Sequence, residues 1–284
     1  MNNKSKYFLC LAVIVLIVGV GIGSYAYTDY RNNKEAVKRV STLAYGETVD
    51  EKTAVETQQD VVITEDNAAS NTAKVKAAAV EKASKTTVDV KNLQKANPDI
   101  FAWINVPGTV IDYPIAQHPT DDTYYLKHGP EGLKSSHGCP FIEVCDSKTM
   151  QDYITVVYGH NMNDGSMFAG LHKFEDKKFL NEHREITVTT ADHMLTYKIF
   201  AAVMYSDAYI PYYYDDTVKT DRSAFIKSLG TDIVPKRSII LDDEKVGADK
   251  KLIVLSTCDK KLRSNRFLVV GVLKQIDGVD VKTK

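Results

Sequence analysis

Short runs of hydrophobic residues, separated by polar and turn-forming residues, fill the chain from about residue 88 to its end. Runs of this kind, rich in Val, Ile, Tyr and Phe and separated by turns such as Pro107-Gly108, are typical of β-strands. The predicted strands cover residues 103–106, 110–115, 140–144, 153–158, 186–190, 195–205, 238–241, 251–256 and 267–273. About eight strands with few helices indicate a mainly β domain, a single barrel or a sandwich.

Two segments of this domain have a helical pattern instead. Residues 90–96 predict a short helix that ends at Asn97-Pro98, because proline disfavours helix in the residue before it. Residues 222–229 have hydrophobic positions at helical spacing, and Thr220 or Asp221 is a plausible N-cap. We expect these few helices to be peripheral to the strands.

The N-terminus is a long uncharged stretch. Lys4 and Lys6 precede residues 7–27, which contain no charged residue. A helix needs roughly 20 apolar residues to cross a bilayer, so residues 1–30 are predicted to be a cytoplasmic tip and a transmembrane signal-anchor. Positive charge on the short side predicts a single pass through the cell membrane with the rest of the chain extracellular. The alternative is a signal peptide that is cleaved near Ser24-Tyr25-Ala26.

Residues 31–88 have a composition that cannot bury much hydrophobic surface. The segment is rich in Ala, Thr, Lys, Glu and Asn, and Tyr45 is its one aromatic residue. We expect an extracellular linker or stalk here, with helix in its alanine-rich part at residues 72–84. The folded domain is predicted to cover residues 89–284.

Composition and charge exclude several classes of function. A net charge of −1 gives no electrostatic basis for binding nucleic acid. The four cysteines are too few for a disulfide scaffold. The sequence contains no CxxC or HxxxH pair, so we expect no zinc site, and we expect no other metal or cofactor.

Three side chains with complementary chemistry lie at the edges of predicted strands. Cys258 and His160 each follow a hydrophobic run, and Arg266 immediately precedes one. A thiolate attacks carbonyl carbons, an imidazole transfers protons, and a guanidinium stabilises an oxyanion. Arg263 is the rival to Arg266, but it lies within a loop, whereas the strand that Arg266 begins would fix its orientation.

The segments around these residues resemble those of sortases. Leu255-Ser256-Thr257-Cys258, with Arg266 at the start of the next strand, is similar to the sortase active-site signature. Tyr158-Gly159-His160-Asn161-Met162 is similar to the sortase histidine segment, and the long insert between Ser206 and Pro235 fits class B. Other segments that resemble class B sortases are Asn97-Pro98-Asp99-Ile100-Phe101-Ala102-Trp103-Ile104, Ile111-Asp112-Tyr113-Pro114-Ile115 and Asp121-Asp122-Thr123-Tyr124-Tyr125-Leu126.

This resemblance implies an eight-stranded sortase β-barrel and an exported cysteine transpeptidase of a Gram-positive bacterium. Such enzymes cleave a C-terminal sorting signal of surface proteins, of the Leu-Pro-x-Thr-Gly or Asn-Pro-x-Thr-x type, after its threonine. They transfer the acyl group to an amine of the peptidoglycan cross-bridge or of a pilin lysine. In this scheme Cys258 is the nucleophile, His160 the acid and base, and Arg266 the oxyanion ligand.

Substrate contacts are expected around the same residues. Leu126 and Tyr125 are expected to line the substrate groove by resemblance, and class B members often have Asn where this chain has Asp122. Ser256 and Thr257 either bind the backbone of the sorting signal or only continue the strand.

Two other hypotheses remain. Ser136-His137-Gly138-Cys139 resembles the nucleophile motif of L,D-transpeptidases, but Pro140-Phe141 follows where that motif has an apolar residue and an arginine. Cys139 is therefore expected to be structural, and an extended strand would hold it about 20 Å from Cys145, beyond the reach of a disulfide. The second hypothesis is a surface or pilus-assembly domain that keeps the fold but lacks activity.

Overall fold

A computed structural model describes residues 3–46, 88–262 and 264–282, with only the backbone helix described over residues 3–22. The helices are α1 (Asn3–Tyr45), α2 (Val90–Ala96), α3 (Lys177–Glu182), α4 (Ile210–Tyr213) and α5 (Lys219–Thr231). Short 3-10 helices cover Tyr124–Leu126, Phe168–Glu175 and Pro235–Arg237. The strands are β1 (Ile100–Asn105), β2 (Asp112–Ala116), β3 (Ile154–Tyr158), β4 (Glu185–Thr190), β5 (Met194–Ser206), β6 (Ile239–Ile240), β7 (Leu252–Cys258), β8 (Asn265–Ile276) and β9 (Val279–Asp280).

These strands form one curled sheet. Its main path runs β2-β1-β4-β5-β8-β7-β3, while β6 pairs with β5 and β9 pairs with β8. The pairing of β3 with β7 is parallel, and the other pairings are antiparallel. Phe141 forms one bridge to Ala116 of β2 and another to Tyr158 of β3, so a single residue connects the two ends of the sheet path.

The prediction of a closed, mainly β, eight-stranded barrel is corrected by this topology. Over the described residues the protein is mixed α/β, and its nine-stranded sheet is a curled half-barrel. The predicted strand at 140–144 is absent, and only Phe141 forms β-bridges. The chain turns at Glu143, whose carbonyl accepts from the Asp146 N–H at 3.1 Å. Strand β9 was not predicted, since two exposed residues leave no hydrophobic run. Every other predicted strand is present, and α2 has the predicted bounds.

Alternate residues of the central strands are buried on opposite faces of the sheet. Ile253 and Leu255 of β7 pack into one hydrophobic cluster, and we call their side the inner face. Leu252 and Val254 pack with Phe225 of α5 in a second cluster on the other side, the outer face. Burial on both faces explains why β7 is a continuous hydrophobic run rather than an alternating one.

The predicted N-cap of the second helix is wrong. Helix α5 begins at Lys219, and its N-cap residue is Val218, which provides no capping side chain. Thr220 and Asp221 lie inside the first turn, and the Asp221 carboxylate instead accepts from the Asp215 N–H at 3.2 Å. The carboxylate therefore closes the preceding loop rather than the helix end.

Helix α1 continues past the predicted anchor and packs on the sheet. Val40 and Ala44 are buried in a cluster with Trp103 of β1. The part of the predicted linker at 31–45 is therefore helical and docked on the domain. The rest of that predicted linker, at 47–87 and including its alanine-rich part, lies outside the described residues.

The predicted membrane anchor falls on the first part of α1, where the side chains of residues 3–22 lie outside the described structure. Within the part of the chain that is described, no helix combines the length and the apolar character that a bilayer span requires.

Candidate active site

Cys258 and Arg266 lie directly opposite each other on neighbouring strands. Cys258 is the last residue of β7, and its register partner on β8 is Arg266. Alternate residues of a strand share a face, so Cys258 lies on the outer face with Ser256, and Arg266 lies there with Leu268. The residues of β7 before Cys258 are all buried, whereas Cys258 is exposed. A rigid, buried strand therefore presents the thiol at the surface.

The guanidinium of Arg266 is half-buried beside this thiol. Its Nη1 donates to the carbonyl of Asn265 at 3.3 Å. Among the described residues it forms no ion pair with a carboxylate. A guanidinium keeps its charge throughout the physiological pH range, so Arg266 can interact with an anion that forms at Cys258.

His160 reaches the same edge of the sheet because β3 and β7 are parallel. Tyr158, the last residue of β3, pairs with Ser256, and the N–H of Gly159 donates to the Ser256 carbonyl at 3.0 Å. The hydroxyl of Thr257 donates to the Gly159 carbonyl at 2.7 Å. These bonds hold the histidine segment beside the end of β7.

The imidazole of His160 is oriented by the backbone of a separate loop. Its Nε2 lies 2.8 Å from the carbonyl oxygen of Leu126. Because a carbonyl only accepts, Nε2 carries the proton of this hydrogen bond, and Nδ1 is the nitrogen that can take up or release a proton. Gly138 has a φ of +64°, and a Cβ there would lie 3.2 Å from Cδ2 of His160 and 2.4 Å from the carbonyl oxygen of Tyr125. Glycine thus allows this loop to approach the ring.

These three side chains line one cleft with a volume of about 240 Å³. The other predicted site residues that line it are Ser256, Thr257, Leu126 and Asp122. Sequence reasoning did not single out Glu143, Asp207, Tyr209 and Ile210, which also line it. Glu143 comes from a loop, and the other three come from the start of the insert between Ser206 and Pro235. The insert was the one sequence signal that could have indicated part of this wall.

The expectation that Tyr125 lines the substrate groove is wrong. Its ring is buried, its hydroxyl donates to Asp99 at 2.9 Å, and the side-chain amide of Asn97 donates to the same hydroxyl at 3.0 Å. The 3-10 turn at Tyr124–Leu126 directs neighbouring side chains to different sides. Leu126 therefore faces the cleft, while Tyr125 packs in a hydrophobic cluster with Cys139.

Three of the expected substrate contacts also support the local structure. Ser256 and Thr257 are buried, and the Thr257 hydroxyl is already used by the Gly159 carbonyl. One carboxylate oxygen of Asp122 accepts from the N–H of Val144 at 2.6 Å. Asp122 therefore shapes the loop that forms one wall of the cleft, and Thr257 links the two catalytic segments.

The wall of the cleft carries a buried carboxylate. The Tyr209 hydroxyl donates to Glu143 at 2.6 Å. Burial raises the pKa of Glu143, the Tyr209 hydrogen bond opposes this effect, and the charge of Asp122 adds to it. Among the residues that the structure describes, the cleft therefore combines acidic groups with the guanidinium of Arg266.

Cys139 does not line the cleft. It is buried, and its thiol donates to the carbonyl of Pro114 at 3.6 Å. Burial raises the pKa of this thiol far above its ordinary value, which disfavours the reactive thiolate. Cys139 and Cys145 are both free thiols. Cys139 thus has the environment of a structural residue, as predicted from the sequence.

A cluster of polar side chains lies next to Cys258. Ligand atoms of His172, Glu175 and Asp259 lie within 4.8 Å of one another, a spacing compatible with a metal site. The Arg237 guanidinium donates to Glu175 at 2.7 and 2.9 Å and to Asp259 at 2.7 Å. A protein cation thus already binds both carboxylates. Burial opposes ionisation of Asp259, but the Arg237 contact and the N–H groups of the following loop lower the pKa of Asp259 to about 2.

Comparison with known proteins places this geometry in one family. The family model described as the sortase domain matches residues 104–274. Sortase B of Listeria monocytogenes is 34% identical over 187 residues, which cover 65% of this chain and 74% of that protein.

Solved structures of class B sortases resemble the fold of this chain. Sortase B of Clostridium perfringens superposes with a TM-score of 0.58 at 27% identity, over 65% of this chain and 99% of that chain. A Streptococcus pyogenes class B sortase involved in pilus biogenesis superposes with a TM-score of 0.57 at 26% identity, over 65% of this chain and 97% of that chain. The chain therefore belongs to the sortase family and, within it, to the class B cysteine transpeptidases.

Proposed function

We propose that this class B sortase cleaves a C-terminal sorting signal after its threonine and transfers the resulting acyl group to an amine. The observation that carries the proposal is the convergence of Cys258, His160 and Arg266, from three separate segments, on one cleft. Cys258 and Arg266 are register partners on the same face of two paired strands, which supports their roles as nucleophile and oxyanion ligand.

In the first half-reaction, the thiolate sulfur of Cys258 forms a bond to the carbonyl carbon of the threonine while His160 is present as imidazolium. The carbonyl oxygen becomes an oxyanion, which the Arg266 guanidinium stabilises. Collapse of this intermediate breaks the carbon–nitrogen bond. The departing amine takes a proton from imidazolium of His160, through Nδ1, and a thioester on Cys258 remains.

In the second half-reaction, an amine attacks the thioester carbon. Neutral His160 accepts the proton that the amine loses, and the sulfur of Cys258 leaves as the new amide forms. We propose the peptidoglycan cross-bridge as the source of this amine. A pilin lysine is the second candidate, because one of the structural relatives is involved in pilus biogenesis. Water competes for the same thioester.

We also propose that this reaction takes place outside the cell membrane. The support is the sequence: residues 7–27 are uncharged, Lys4 and Lys6 precede them, and the catalytic domain follows. Protease added to intact cells should digest the domain if it is exported, and should leave it intact if it is cytoplasmic.

The experiment that tests the function combines the full chain with peptides of the Leu-Pro-x-Thr-Gly and Asn-Pro-x-Thr-x types. Cleavage and transfer to a supplied amine are measured for the unmodified chain, Cys258→Ala and the matched control Cys139→Ala. We expect the Cys258 variant to lose all turnover and the Cys139 variant to retain it. Loss of turnover in the Cys139 variant alone would favour the L,D-transpeptidase mechanism. A chain that turns over no peptide of either type would favour an inactive assembly domain.

A further inference from the structure

The residue after the catalytic histidine is bonded to the backbone of the catalytic cysteine. Nδ2 of Asn161 donates to the carbonyl oxygen of Cys258 at 2.8 Å. The proposed acid–base residue, His160, is the immediate chain neighbour of Asn161. One side chain therefore connects the histidine segment after β3 with the nucleophile at the end of β7.

The orientation of the Asn161 amide is fixed by a second partner. Its Nδ2 also lies 2.9 Å from Nε2 of His172, while Nδ1 of His172 lies 2.8 Å from a carboxylate oxygen of Glu175. A carboxylate accepts, so Nδ1 of neutral His172 carries the proton and Nε2, which also lies 3.4 Å from the Cys258 carbonyl oxygen, accepts from Asn161. The two N–H groups of the amide are thus both used, one by His172 and one by Cys258.

The same cluster holds the residue that follows the nucleophile. Arg237 donates both to Glu175, which orients His172, and to Asp259, which is adjacent to Cys258. Asp259 in turn accepts from the N–H groups of Lys261 and Leu262, at 2.9 and 2.6 Å. The exposed end of β7 is consequently held from two sides, at the Cys258 carbonyl and at the Asp259 side chain.

From these contacts we infer that Asn161 is a positioning residue, which fixes the nucleophile Cys258 relative to His160 and Arg266. The inference rests on the proposed function for its catalytic consequence. Misplacement of a reacting group by about 1 Å can cost on the order of 100-fold in rate. The strands themselves stay joined without Asn161, because the Gly159 N–H and the Thr257 hydroxyl form separate bonds between the same segments.

Two substitutions in the full chain test this inference. Asn161→Ala removes the amide, and Asn161→Asp keeps its size but replaces the donors with acceptors. Asn163 provides the matched control, because it lies in the same loop with an exposed side chain, and it is changed to Ala and Asp in the same way. Each variant is measured for kcat and KM on whichever sorting-signal peptide the unmodified chain cleaves, for thermal stability, and for hydrogen exchange of the amides at residues 258–262.

Both Asn161 variants are expected to lose at least about 10-fold in kcat with KM within about 3-fold, since the peptide contacts other walls of the cleft. In the Asn161 variants, hydrogen exchange of the amides at 258–262 should be faster, and the melting temperature should be nearly unchanged. The Asn163 variants should match the unmodified chain in kcat, KM, exchange and melting temperature. Unchanged kcat, a loss confined to KM, or unchanged exchange would each overturn the inference. If the unmodified chain cleaves no peptide, the proposed function fails, while the exchange measurement still tests the positioning of Cys258.

Discussion

The position of each site residue on its strand determines what it can do. Cys258 and Arg266 are even-numbered positions that share the outer face with Val254 and Leu268, while Thr257 belongs to the inner-face series. A slip of one residue in the register of β7 would exchange these faces and remove the thiol from the cleft. The reactivity of the site therefore depends on strand register as much as on residue type.

Arg266→Lys tests whether guanidinium geometry matters at this position. Lysine keeps the charge but lacks the planar fork of donors, so we expect kcat/KM to fall by on the order of 100-fold while the melting temperature changes little. Steady-state kinetics with a sorting-signal peptide provide the measurement, with Lys260→Arg in the neighbouring loop as the control. Activity like that of the unmodified chain would remove Arg266 from the mechanism.

The three described cysteines should differ in their reaction with iodoacetamide. Cys139 is buried, and partial burial together with the carboxylates of Asp146 and Glu143 raises the pKa of Cys145 to about 12. At pH 8 we expect label on Cys258 first, little on Cys145 and none on Cys139 in the folded protein. Peptide mapping after timed labelling measures this order. Faster labelling of Cys139 would contradict the assignment of the nucleophile.

At the level of strands and loops, the parallel pair β3 and β7 is the element that assembles the site. Parallel strands bring their carboxyl ends to the same edge of a sheet, so residues that follow Tyr158 and Ser256 meet there although they are distant in the sequence. Strand β8 then returns from the loop after Cys258 and brings Arg266 opposite the thiol. The convergence of Cys258, His160 and Arg266 is thus a consequence of strand order.

The loop between β7 and β8 should make stability depend on acid pH through Asp259. The carboxyl pKa of Asp259 is lowered from 3.8 to about 2 in the folded protein, so its stabilising effect is present above pH 4 and is lost as the pH falls through about 2. The corresponding free energy is about 2 kcal/mol. Denaturant unfolding measures the free energy of unfolding of the unmodified chain and of Asp259→Asn. The unmodified chain should be the more stable one above pH 4, and the difference should shrink as the pH falls from 4 to about 2. The exposed Asp242→Asn change is the control, and a pH-independent difference for Asp259→Asn would contradict the account.

Strands with both faces buried were the easiest elements to predict. Long hydrophobic runs identified β5, β7 and β8, and helical spacing identified α5. The segment after Pro140 is hydrophobic because Phe141 is buried where it bridges the two ends of the sheet. Local hydrophobicity does not distinguish such a bridge from a paired strand, so the sequence wrongly predicts a strand there. The predicted N-cap of α5 is wrong because the helix begins earlier, at Lys219, and the Asp221 carboxylate accepts from the N–H of Asp215, six residues before it.

Viewed as a whole, the molecule extends its hydrophobic core to the N-terminal helix. Val40 and Ala44 of α1 pack with Trp103, and Arg39 forms an ion pair with Glu131 at 2.7 Å. The ion pair is bidentate, and Arg39 is more than half exposed, so the pair contributes at most about 1 kcal/mol. The docking of α1 therefore combines these hydrophobic contacts with the ion pair and with a hydrogen bond from the Tyr45 hydroxyl to Asp112 at 2.8 Å.

Val40→Ala should destabilise the full chain through this contact. Val40 is buried, so removal of two methyl groups costs about 2 kcal/mol of transfer and cavity free energy. Lys38→Ala on the same helix is exposed and should change the free energy of unfolding by less than about 0.5 kcal/mol. Denaturant unfolding measures both. Equal stability of the two variants would indicate that α1 does not dock in solution.

Two kinds of sequence signal predict residues of the candidate site: reactive side chains at strand edges, and the family resemblance that indicates Leu126 and Asp122. Cys258, His160 and Arg266 could be singled out because each combines a reactive side chain with the boundary of a hydrophobic run. The supporting contacts could not be predicted, because Asn161, His172 and Arg237 meet only after the 3-10 helix and the insert fold against β7. Tyr125 was expected in the cleft but is buried in the core, because neighbouring side chains of the tight turn at Tyr124–Leu126 point to different sides.

The most direct test of the central claim is mass spectrometry of the full chain after brief incubation with the sorting-signal peptides and no added amine. The account predicts an acyl adduct, ending in the threonine of the signal, on the proteolytic fragment that contains Cys258, and none in Arg266→Ala or His160→Ala at the same time point. An adduct on Cys139, or transfer of the peptide to an amine by a chain with Cys258→Ala, would contradict it.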